Sequence, residues 1–367
     1  MIRSLLPFGV ALLACAASAR AQEAMILHAD GVIGPDGAVI PDGKILLRGD
    51  RIFAVGADVP QPAGVKVVRL HGVLAPGMID AAAGVAVQGE IAERAFRNNA
   101  GLRAADALDL RHRYWQAALE RGITAVHVVP DPARALAGDS SVVRTGAAVD
   151  RMLAPRARAV VSLVASGFAD PVIGPTAVAG ALEDLDAAIA RAPDVWRGRK
   201  VAVYLDSAEG ARAATQRARE QGFDAVYLAW GDVGGYGREL AGALVVLPAI
   251  HDGDWSARLL ETWKRLHGAG VRVAFGTRSG RGGEVLDGLR TTAMAYSRAT
   301  GDPAAAMAAV TGNAAAIAGL DDRGRIAPGA VADLVLWSGH PLDGAARVQA
   351  VMLAGRTVWT APVDEDE

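Results

Sequence analysis

"LAPGMIDAAAGVAV", Leu74 to Val87, is the stretch on which the reading of this chain turns. Before it, from Ala24 to about His71, apolar and polar residues alternate in "AMILHADGVI", "GKILLRGDRIFAVG" and "VKVVRL", broken by "PDG", "RGD" and "QPAG". Alternation turns one face toward a core, and Gly, Pro and Asp supply the turns, so this region predicts short strands. After it, continuous apolar runs recur: "GVLAPGMID", "GITAVHVV", "RAVVSLVAS", "KVAVYLD", "DAVYLAW", "GALVVLPAI" and "VRVAFGT". Alanine-rich amphipathic segments such as "AEGARAATQRAREQG" and "WSARLLETWKRLHGAG" separate them. Buried strands alternating with helices are βαβ units of a parallel sheet. These seven runs are one short of a closed eight-stranded ring, and an eighth strand is expected near "SSVVRTGAAV", residues 140–149.

The C-terminal region returns to strand and turn in "ADLVLWSG", "VQAVMLAG" and "RTVWTA". Two strand-rich ends around a different middle predict one small β domain built from both termini. The expected organisation is a β domain from 22–72 and 324–362, a barrel from 73–323 and a solvated acidic tail at 363–367.

The N-terminal "MIRSLLPFGVALLACAASARAQE" has a basic Arg3, an apolar run too short to span a bilayer, and a small-x-small site at Ala19-Arg20-Ala21. That is the pattern of a secretion signal covering residues 1–21, and it predicts a secreted or periplasmic protein. Cys15 is the only cysteine, so cleavage after residue 21 removes disulfides, thiolate catalysis and cysteine-bound metal. Lipidation of Cys15 in "LLAC" is the alternative. A net charge of −2 gives no reason to expect nucleic-acid binding, and no other segment predicts a membrane span.

In their order and spacing the runs resemble the amidohydrolase superfamily, especially its imidazolonepropionase-like bacterial members. The resemblance is carried by "GDRIFAVG" followed by "GVLAPGMID", by "RGITAVHVVPDPARALAGDSSVVRTGAA", and by "VAVYLDSAEGARAATQRAREQGFDAVYLAWGD". It continues in "VRVAFGTRSG", and "AVTGNAAAIAGLDDRGRIAPGAVADLVLWSGHPLD" with "VQAVMLAGRTVW" is its most specific part. It implies an α/β fold: a (β/α)8-type TIM barrel, imperfect where the eighth strand is weak, with a small β-sandwich. The implied activity is metal-dependent hydrolysis of non-peptide C–N bonds, in which a bound cation acidifies a water.

The resemblance also places the ligands. The two first-strand histidines fall on Ala82 and Gly84, the fifth-strand histidine on Tyr204, the sixth-strand histidine on Trp230, and the last-strand aspartate on Arg278. Lys200, the only barrel-strand lysine, opens its strand at the opposite face. None of these positions retains a good ligand, so no cofactor is expected. The implied protein is a non-catalytic member that binds a small molecule or a related amidohydrolase subunit, with a homo-oligomer allowed.

Two other readings stay open. A remodelled hydrolase would use His127, His251 or Asp232, with zinc only in that case. A small-anion binder would use Arg278 and Arg281 in the glycine-rich "GTRSGRGGEVLDGL", since arginine in place of an acidic ligand inverts the preferred charge. Bland alternatives exist for each: His127 as a hydrogen-bonded core residue, His251 in a solvated loop, and Asp206 as a helix cap in "DSAE". An arginine paired with Asp80, Asp206 or Asp232 is a further structural possibility.

Overall fold

The computed structural model describes residues 24–86, 91–146, 150–164, 173–250, 256–278 and 286–362. The expected secretion signal at residues 1–21, with Cys15, and His251, Arg281 and the acidic tail lie outside the described residues.

The N-terminal strands are β1 (Ala24–Ile33), β2 (Val39–Pro41), β3 (Lys44–Arg48), β4 (Arg51–Gly56) and β5 (Lys66–Pro76). The middle supplies β6 (Met78–Ala83), β7 (Ile123–Val128), β8 (Leu136–Asp139), β9 (Ser141–Arg144), β10 (Met152–Ala154) and β11 (Ala159–Ser162). It continues with β12 (Lys200–Leu205), β13 (Asp224–Ala229), β14 (Leu244–Pro248) and β15 (Arg272–Gly276). The C-terminal strands are β16 (Leu334–Trp337), β17 (Val348–Leu353) and β18 (Arg356–Thr360). One eight-stranded sheet runs β18-β17-β16-β5-β1-β3-β4, with β2 on β1, so both ends of the chain share it.

All seven apolar runs contain barrel strands. β11 through β15 form a continuous parallel ladder, and β6 pairs parallel with β7. Of the stretch 140–149 where an eighth strand is expected, Ser141–Arg144 forms β9; with β8 just before it, it makes one segment over 136–144 that runs antiparallel. Its first half, β8, pairs with β11, and its second half, β9, pairs with β7. This kinked segment joins the two ladders. On the far side, Arg278 N–H donates to the Ala82 carbonyl at 3.0 Å, joining the end of β15 to β6. The fold is the TIM-barrel type with one reversed strand.

The period-two alternation of the strands divides the core. Val201, Val203 and Leu205 of β12 pack outward in a cluster with helix residues, whereas Ala202 and Tyr204 face the barrel interior with Val226, Leu228, Val246 and Ala274. The outer layer includes α1 (Tyr114–Glu120), α2 (Val178–Arg191), α3 (Pro193–Trp196), α4 (Ala208–Gln221), α5 (Ala257–Gly268), α6 (Leu286–Thr300) and α7 (Pro303–Val310). The next helix, α8 (Gly312–Ala318), instead sends Ala314, Ala315 and Ile317 into the interior cluster at the strands' N-terminal end. Arg158 fastens it there, donating to the carbonyls of Ala316 (2.9 Å) and Ile317 (2.5 Å) while pairing with Asp224. A cation at a helix C-terminus satisfies carbonyls that have no partner within the helix.

"PGMID" has a structural purpose. A Cβ at Gly77 would overlap the Thr124 side chain, so the first barrel strand approaches its neighbour only with glycine there. Asp80 is fully buried and accepts from Thr277 N–H (3.0 Å), Thr277 Oγ1 (2.5 Å) and Ala82 N–H (3.2 Å), pinning β6 to the end of β15.

Candidate functional site

Strand polarity gathers the C-terminal ends of β6, β12, β13, β14 and β15 at one mouth, the face on which barrels place their chemistry. A cavity of about 320 Å³ opens there, with Ala82, Tyr204, Trp230, Gly276 and Arg278 in its wall. Four of the five residues matched to ligand positions therefore line one cavity, although they come from four separate strands or strand ends. Gly84 completes the group from behind. A Cβ built on Gly84 would overlap Arg278 Nη2, so the guanidinium fills the space that a side chain at position 84 would take.

Arg278 is held on several sides. Its side chain is 8% exposed, Nη1 donates to Tyr204 Oη at 2.6 Å and to the Pro130 carbonyl at 3.3 Å, and Nη2 pairs with Asp131 Oδ1 at 3.1 Å. Tyr204 Oη in turn donates to the Pro130 carbonyl at 3.0 Å. Burial pushes the Tyr204 phenol well above its ordinary range, so it stays protonated and keeps that donor. Trp230 meets the Tyr204 ring edge-on, with centroids 5.7 Å apart. The cation's partner is Asp131, not Asp80, Asp206 or Asp232. Asp131 follows β7 directly at the barrel mouth, in "VVPDPA", and that position was the available sequence signal for it.

The described lining contains no carboxylate, imidazole or thiol. Among the described residues no three His, Cys, Asp or Glu side chains cluster so as to hold a metal ion. A phenol held protonated beside a guanidinium does not suit a divalent cation, which needs anionic or neutral donors and is repelled by fixed positive charge. What remains is a mainly apolar cavity with one polar end.

The other described candidates, His127 and Asp232, are not brought to this cavity. His127 is fully buried between β6 and β9. Nδ1 bonds the Ala81 carbonyl at 2.9 Å and Nε2 bonds Ser140 Oγ at 2.7 Å. The carbonyl can only accept, so Nδ1 carries the proton and Ser140 donates to Nε2. Burial lowers its pKa to about 3, which keeps the ring neutral. Asp232 accepts from Gly234 N–H (2.9 Å), Thr262 Oγ1 (3.0 Å) and Arg258 Nε (2.6 Å), tying the turn after β13 to α5. These bonds, the backbone one first, hold its carboxyl below the usual range. Asp206 does not cap α4: Ser207 does, accepting from Gly210 N–H at 3.1 Å, because the helix starts one residue later than the Asp-x-x-Glu pattern implied.

The sequence model of the amidohydrolase family matches residues 258–358, which run from α5 to β18. No curated protein matches the sequence significantly. Among solved structures, an amidohydrolase from Thermotoga maritima MSB8 aligns over 92% of this chain and 100% of its own, with a TM-score of 0.77 and 20% identity. A Xaa-Pro dipeptidase with methionine in its active site aligns over 92% and 100%, at 0.59 and 16%. N-isopropylammelide isopropylaminohydrolase from Burkholderia multivorans aligns over 91% and 98%, at 0.57 and 17%. The chain thus has the amidohydrolase fold, and its residues 258–358 match that family in sequence.

Proposed function

We propose that this protein is an amidohydrolase-fold member without the family's metal centre, which binds a small molecule at the barrel mouth outside the cytoplasm and does not hydrolyse it through a metal. One observation carries the reading: the Arg278 guanidinium lies against Gly84, bonded to Tyr204 and paired with Asp131, among the positions that the resemblance assigns to ligands. A fixed, charge-matched guanidinium substitutes for the electrostatic role of a cation, holding Asp131 and Tyr204 in place. It supplies neither a Lewis acid nor an activated water. The same pairing disfavours a strong anion site at Arg278, because Asp131 already neutralises it. The N-terminal signal supports export.

Elemental analysis of mature protein purified without added metal tests this directly, with zinc, manganese and iron expected well below one equivalent. Calorimetric titration with zinc is expected to show no tight site. One equivalent of metal surviving dialysis, and lost together with activity on chelation, would overturn the reading.

A further inference from the structure

At the barrel's opposite end lies a second cavity, of about 500 Å³, formed where β11 and β12 begin. Arg156, Arg158, Arg197, Arg199 and Lys200 line it, with Asp139 as the carboxylate of its wall. Asp139 is buried and bridges two of them, binding Arg156 Nη1 and, at 2.9 Å, Arg199 Nη2. Arg158 pairs with Asp224 at 3.0 Å, and Lys200 lies 3.7 Å from Asp321. Arg197 makes no ion pair among the described residues and is exposed at the rim. Five cations therefore face three carboxylates, leaving two positive charges over one cleft. The chain as a whole carries −2, so this excess is local.

The arrangement is built and not a scatter of surface arginines. Asp139 holds Arg156 and Arg199 on the two sides of one buried carboxylate, and Arg199 stacks over Trp196 with its guanidinium carbon 5.5 Å from the ring centroid. Ordering two guanidinium groups before the ligand arrives lowers the entropy lost on binding. Planar guanidinium forks match phosphoryl oxygens in pairs, and an excess of two charges matches a phosphate dianion.

We propose that this cleft is a binding site for a small phosphate-bearing molecule, separate from the cavity at the barrel mouth. Inorganic phosphate is the probe, titrated calorimetrically at pH 8 in low-salt buffer. One saturable site is expected, weakening steeply as salt is added. Arg197→Gln, which breaks no pair, is expected to weaken it at least fivefold. Arg156→Gln with Arg197→Gln is expected to abolish it. Arg278→Met at the opposite mouth and Arg298→Gln on α6 are expected to leave it unchanged. Circular dichroism would verify folding of each variant. Absence of a saturable site in the parent protein overturns the proposal, as does a site lost with Arg278→Met but kept in the Arg156–Arg197 double variant. Sedimentation with phosphatidylglycerol vesicles but no heat with free phosphate would also overturn it, assigning the charge to a membrane surface.

Discussion

Arg278 and Gly84 are packed as one unit: the guanidinium occupies the volume that any side chain at position 84 would need, and Tyr204 and Asp131 hold it there. Gly84→Ala must therefore displace Arg278 or distort β6. We expect it to lower stability by about 1–3 kcal/mol, the usual cost of overpacking. In Arg278→Ala that clash is absent, so adding Gly84→Ala to it is expected to cost much less. A double-mutant cycle by urea unfolding measures the coupling, and additive effects would show that the two residues do not share that space.

The join between β15 and β6 is equally tight. A Cβ at Gly276 would lie 2.5 Å from the Ala82 carbonyl oxygen and 2.7 Å from its nitrogen. These are backbone atoms of a fully buried strand and cannot turn aside. Gly276→Ala is expected to destabilise by more than about 3 kcal/mol and to reduce soluble yield. A melting temperature within a degree of the parent would contradict this account of the seam.

His127 gives the protein an acid sensitivity of known sign. Its folded pKa of about 3 lies below the ordinary value near 6.5, so in that window the unfolded chain binds the extra proton. The His127 contribution is complete above pH 6.5 and is lost as pH falls toward about 3, at up to about 1.4 kcal/mol per pH unit. Unfolding of the parent and of His127→Gln at pH 7, 5.5 and 4.5 compares the slopes. The variant is expected to lack about one proton's worth of dependence in that range.

Ser207 caps α4 in place of the preceding aspartate. Ser207→Ala is expected to cost about 1 kcal/mol, whereas Asp206→Ala is expected to leave the helix cap intact. Thermal melts of the two variants distinguish the assignments.

Arg158 closes the bottom of the barrel by binding two carbonyls at the end of α8 from a side chain that is 2% exposed. Arg158→Met fills most of the volume and removes those donors. A loss of about 1–3 kcal/mol is expected, since the buried α8 carbonyls lose their donors while Asp224 is half-exposed and can turn to water. Hydrogen exchange at residues 312–319 is expected to rise more than at β12.

Much of the architecture was legible in the chain because it rests on local periodicity. Continuous apolar runs can be buried on both faces, and each of the seven holds a barrel strand. The strand in 140–144 was visible as an apolar stretch, but its reversed direction was not. Orientation depends on which neighbours a segment meets, and β8 and β9 each meet a different one. The cap of α4 was misplaced by one residue for a related reason: a helix starts where tertiary packing lets it, and Ser207 was as good a cap as Asp206.

By itself the sequence determined the βαβ rhythm, the strand-rich ends and the absence of histidines at Ala82, Gly84, Tyr204 and Trp230, because residue type and spacing are local properties. Tertiary structure alone decided that these positions line or back one cavity, and that Arg278 is neutralised by Asp131. It also decided that His127 and Asp232 are committed to hydrogen bonds elsewhere, and that five cations converge at the barrel's other end. Each of those facts concerns side chains far apart in the chain, and only the barrel-type arrangement of strands brings them within bonding distance.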